Sequence, residues 1–108
     1  MTTLHVFRPD LSDPELLAAA PQAATDERAA TADLIALLAD VDGRRLYVGE
    51  GCASLFTYCT RVLHLSEHAA YGRIEAARAA QQHPDILTYL QDGSFTLTTV
   101  VAARSAPH

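Results

Sequence analysis

The chain has no tryptophan and no lysine, only two cysteines, and aromatic side chains make up just 6% of it. Each shortage excludes something. Two cysteines, Cys52 and Cys59, are too few for the disulfide framework of a small secreted fold, so the thiols are expected to stay reduced. The longest apolar run, Leu34 to Ala39, falls far short of the roughly 20 residues a membrane-spanning helix needs. The start MTTLHVFRPD lacks a basic leader followed by an apolar core. A cytoplasmic protein with no membrane partner is the expectation. There is no glycine-rich phosphate loop and no HExxH pair. Cys59 has His64 close in sequence, but beyond a predicted helix end, where the spacing guarantees no nucleophile and base pairing. The acids Asp26-Glu27, Asp40 and Asp42 read as solvated helix faces. Neither an enzyme nor a cofactor is predicted.

What is present is a 49% hydrophobic composition over 108 residues, which is one domain's worth of core, rich in alanine and leucine. This predicts an all-α fold, a small single-domain bundle of five or six helices. The formal charge of -5 is unevenly spread. Residues 1–42 carry two arginines against eight acids, a balance of -6, and residues 43–108 carry six arginines against five acids, a balance of +1. All eight bases are arginine. Its planar fork suits phosphate and guanine edges, although a GC-rich genome produces the same bias.

The organising stretch is Ser54 to Gln81. Behind Ser54 as a cap, Leu55, Phe56, Cys59, Val62 and Leu63 recur at helical spacing. The chain breaks at His64-Leu65-Ser66, and Ser66 caps a second helix with Glu67 at its positive end. On that helix Ala70, Ile74, Ala77 and the stems of Tyr71 and Arg78 share one side, while His68, Ala69, Gly72, Arg73, Glu75 and Ala76 share the other. This is the layout of a helix-turn-helix at 54–81, and equally of an antiparallel pair of core helices. If the layout reads DNA, His68, Arg73 and Glu75 face the bases, and Arg61, Arg78 and Tyr71 are candidates for backbone contact. Tyr71 also fits a half-buried aromatic covering the helix pair. The spacing Cys52-x6-Cys59-x4-His64-x3-His68 holds zinc-ligand types, but a zinc finger needs two closely spaced cysteines, so no metal site is predicted.

Around this centre, residues 1–24 are expected to form a partly ordered N-terminal segment, and residues 25–108 the helical domain. Leu4 and Val6 hint at a strand start; Asp13-Pro14-Glu15 opens a short helix over 14–20 that ends at Pro21. A longer helix begins near Thr25, carries the stripe Leu34, Ile35, Leu37, Leu38 and Val41, and stops near Gly43. His83-Pro84-Asp85 separates two further helices, the later one buried through Ile86, Leu87 and Leu90 and capped by Gly93. Residues 94–101 favour a strand by β-branching or a helix by the caps Thr96 and Thr98; helix is preferred, since no partner strand exists.

The phrases RRLY, CASLFTYC, LSEHAAYGRI, AARAA, HPDIL and LQDG, across residues 27–107, resemble the helical region ahead of the nuclease domain in bacterial HNH endonuclease-like proteins. A fainter similarity, Leu65 to Arg104, runs to the DNA-binding part of ParB partition proteins. There a helix-turn-helix is followed by a helix, a glycine and another helix. The resemblance implies an all-helical module for double-stranded DNA with its recognition helix at Ser66–Gln81, and no catalysis, because the His-Asn-His set is absent. Gly72, Gln81, Gln82 and Ser94 stand where relatives often look basic, which removes phosphate-binding charge. The alternative is a helical protein-interaction or dimerisation domain without DNA binding, with a metal-dependent nuclease fragment as a third class.

Overall fold

The computed structural model describes residues 7–105; the strand hint at Leu4 and Val6 lies outside them. The described chain is an all-α bundle of five helices: α1 (Asp13–Arg44), α2 (Leu55–Thr57), α3 (Glu67–Gln82), α4 (Ile86–Asp92) and α5 (Leu97–Ser105). A 3-10 turn (Leu46–Glu50) follows α1, and α2 runs directly into a π-helical turn (Tyr58–Val62).

The first departure from the sequence expectation is α1. The predicted stop at Pro21 and restart near Thr25 do not occur: one helix of 32 residues passes through Pro21. Proline removes one backbone donor and crowds the preceding turn, but flanking alanines carry the helix on both sides. Its start lies one residue earlier than expected. Ser12, not Asp13, is the cap: Ser12 Oγ accepts from the Glu15 amide at 3.3 Å, and Glu15 Oε1 accepts from the Ser12 amide at 2.9 Å. This reciprocal capping box holds the Glu15 carboxyl below the usual range, the Ser12 backbone amide first and its hydroxyl second. Gly43 lies inside the helix; Arg45, at φ 53°, closes it with its amide on the Asp42 and Val41 carbonyls.

The central helix is α3, which packs against α1, α2, the π turn, α4 and α5. Ile35 and Leu38 of α1, Leu55 and Cys59 ahead of α3, and Ala70, Ile74, Ala76, Ala77 and Ala79 of α3 form the core with Leu90 and Val100. Leu37, expected in the buried stripe, is 63% exposed, and Phe56 and Val62 also reach solvent. On these elements the core side is narrower than the apolar sequence. The later punctuation follows the sequence. Thr57 and Ala69 donate their amides to the Ser54 and Ser66 hydroxyls, Gly93 adopts φ 86° after α4, and the Thr99 amide donates to Thr96 Oγ1 as α5 begins.

Candidate nucleic-acid interface

The connection into α3 is built by its backbone. In the π turn the Leu63 amide reaches back five residues to the Tyr58 carbonyl at 3.2 Å. The Leu65 amide then reaches the Cys59 carbonyl at 3.0 Å, with His64 between them at φ 59°. That left-handed residue reverses the chain, the role usually given to glycine, and leaves Leu65-Ser66 to launch α3. The first turn of α3 is open: Ser66, Glu67 and His68 are exposed.

Which side of α3 is bare differs from the expectation. Ala76, placed outward by the sequence reading, is fully buried, and Ala79 and Ala80 with it. The reason is α5, which packs along this side: Arg104 Nε donates to Glu75 Oε2 at 2.7 Å, and Leu97, Thr98, Val101 and Ala102 line a shallow cleft of about 260 Å³ with His68, Tyr71 and Gly72. The exposed stripe consists of Glu67, Tyr71, Arg78 and Gln82, with His68 and Glu75 at its edge. It lies about a third of a turn around the helix from the predicted outer face.

Each predicted site residue can be placed against that stripe. His68 is exposed, and Tyr71, 48% exposed, is half-buried beside the cleft that α3 forms with α5. Arg78 is exposed, 3.6 Å from Asp42 of α1. Glu75 is mostly withdrawn into its pairing with Arg104. Arg61, on the π turn, is exposed and makes no ion pair among the described residues. Arg73 is the outlier. It is turned off the stripe, donates through one guanidinium nitrogen to the Ala69 carbonyl at 3.2 Å, and lines a cavity of about 370 Å³ with Glu27, Arg28 and Thr31 of α1 and the α4–α5 connection. A base-facing role for Arg73 does not fit that position.

Two further features were missed in the sequence. Gln81, noted there only as lost positive charge, donates to the Ala39 carbonyl at 3.0 Å and to Asp42 at 3.1 Å, tying α3 to α1. Arg28 bridges α1 to the end of α4 through the Gln91 carbonyl at 3.4 Å. A β-carbon on Gly93 would stand 3.3 Å from the Arg28 guanidinium, close enough that the arginine would have to give slightly, while the φ of 86° is what favours glycine there. Both are contacts between residues far apart in the chain, which local pattern does not signal.

The candidate metal ligands diverge: Cys52 and Cys59 are buried, and His64 and His68 are exposed. Burial pushes the Cys59 thiol up, against a smaller opposing pull from the Arg73 guanidinium. Among the described residues no helix is long and apolar enough to cross a membrane. Compared with family models, curated proteins and solved structures, the chain matches none.

Proposed function

We propose that this domain is a non-catalytic helix-turn-helix module that docks on double-stranded DNA through the outward stripe of α3. The observation that carries the reading is the arrangement at the π turn: a tight reversal at His64 launches a serine-capped helix whose first turn is open, beside the exposed Arg61. In such modules the early residues of the second helix approach base edges while neighbouring cations hold phosphates. His68 and Tyr71 would take the first role, and Arg61 and Arg78 the second. The resemblance to the helical region of HNH endonuclease-like proteins supports the same assignment. Arg73 drops out of it, and Glu75 serves to fix α5.

The reading implies weak electrostatics. Two or three phosphate contacts give a log–log slope of affinity against salt of about -2 to -3. Titrating a fluorescent duplex with the full chain at several salt concentrations measures that slope. Arg61→Ala should lower affinity and flatten the slope by about 1. Arg73→Ala should leave the slope unchanged. A chain that never shifts the duplex signal, even at low salt, contradicts the reading.

A second reading, an interaction domain without DNA binding, is favoured by a different observation: residues 13–27 of α1 are exposed throughout.

A further inference from the structure

The first half of α1 stands beyond the bundle. The side of α1 that buries Ile35 and Leu38 continues toward the N-terminus as Leu17 and Ala24, with Leu16 and Ala20 beside them, at the three- and four-residue spacing of one helix face. Nothing in the described chain covers this extension. Leu17 is 76% exposed and Leu16 43%. A capping box and five alanines favour the helix here, but an isolated segment of this length is marginal in water, and Pro21 weakens it further by leaving the Leu17 carbonyl without its helix donor.

Charge selects what can cover it. Between Arg8 and Arg28 there is no basic residue, while Asp10, Asp13, Glu15, Asp26 and Glu27 are all acidic. Asp13 and Glu27 fall on the apolar side itself, one near each end of the leucine and alanine stretch, about 21 Å apart along the axis. A nucleic acid or an anionic membrane would be repelled. A second copy fits poorly too: with the two apolar sides matched, Asp13 meets Asp13 in a parallel pair and Glu27 in an antiparallel one.

We infer that the exposed half of α1 is the docking surface for a basic amphipathic helix of another protein, with apolar anchors set between Leu16, Leu17, Ala20 and Ala24 and a cation near each of Asp13 and Glu27. This is helix-on-helix recognition in which the apolar stripe supplies affinity and the flanking acids select the sign of the partner. It does not rest on the duplex reading, because the arm is acidic and remote from Arg61 in sequence.

The test uses the full chain and two fluorescent synthetic peptides, each a leucine-heptad helix, one carrying lysines two heptads apart and the other glutamates at the same places. The lysine peptide should bind at least about tenfold more tightly than the glutamate peptide, and its affinity should fall as salt rises. Leu17→Ser should weaken it about tenfold with the thermal midpoint little changed, since Leu17 is 76% exposed and lies outside the core. Replacing Asp13 by Asn and Glu27 by Gln together should abolish the preference between the peptides. Equal binding of both peptides, or binding of neither, overturns the proposal. So does a dimer in sedimentation that Leu17→Ser dissolves, which would make a second copy the occupant. A duplex titration run in parallel separates these outcomes from failure of the DNA reading.

Discussion

Gly72 stands on the side of α3 that α5 covers, where a small residue suggests a close approach. The geometry says otherwise. A β-carbon added there meets nothing within 4 Å, and no positive φ requires glycine. Gly72→Ala should therefore raise stability by about 0.5–1 kcal/mol, the difference in helix propensity, which urea denaturation measures. A loss of stability would mean that α5 lies closer to α3 than described. Arg45 and His64 present the reverse situation, side-chain-bearing residues at φ 53° and 59° where glycine is the usual occupant. Neither conformation was legible in the sequence, because the demand for a left-handed residue comes from the geometry at the helix end: α1 runs past Gly43 to Arg44, so the reversal falls on Arg45, and the π turn ends at Val62, within the apolar pattern, with the reversal on His64.

At the scale of elements, the caps were the most readable part of the chain. Ser54, Ser66, Gly93 and Thr96 act where a short polar or glycine residue precedes or follows an apolar period, because capping is decided by neighbours within three residues. The rotation of α3 was not readable. Nearly every residue on its small side is alanine or glycine, and such residues satisfy a buried or an exposed position equally, so only the arrival of α5 determines that Ala76 is core. The length of α1 was misjudged for a related reason: proline is a strong breaker on average, and a single one within an alanine-rich helix is tolerated. The same helix yields a pH prediction. Glu15 has its carboxyl lowered by the Ser12 amide and hydroxyl, so its contribution is fully present above the ordinary glutamate value and is lost as pH falls through the lower, folded value. An NMR titration of the Glu15 side chain should give a midpoint below the ordinary glutamate value, and Ser12→Ala should raise it toward that value.

As a whole molecule the described chain is broad and flat, 47 × 38 × 19 Å. Its radius of gyration is 16.5 Å, against about 13 Å for a compact chain of this length, and the exposed residues 13–27 of α1 contribute to the difference. The charge division seen in the sequence maps onto this shape: the acidic balance of residues 1–42 is carried largely by the protruding helix, and Arg61 lies with α3 in the bundle. Two surfaces of unlike character, an acidic apolar arm and an outward stripe on α3 beside an arginine, give the molecule room for two partners. The composition made the helical class plain. Separating the surfaces required the packing of α5, which leaves only one edge of α3 open.

That open edge is the claim on which the functional account depends. The most direct test is an amide chemical-shift map of the isotope-labelled chain titrated with a mixed-sequence duplex at low salt. The account predicts salt-reversible shifts concentrated at Arg61, Glu67, His68, Tyr71 and Arg78, with residues 13–27 unmoved. Shifts absent from that group, or centred on α1, would contradict it.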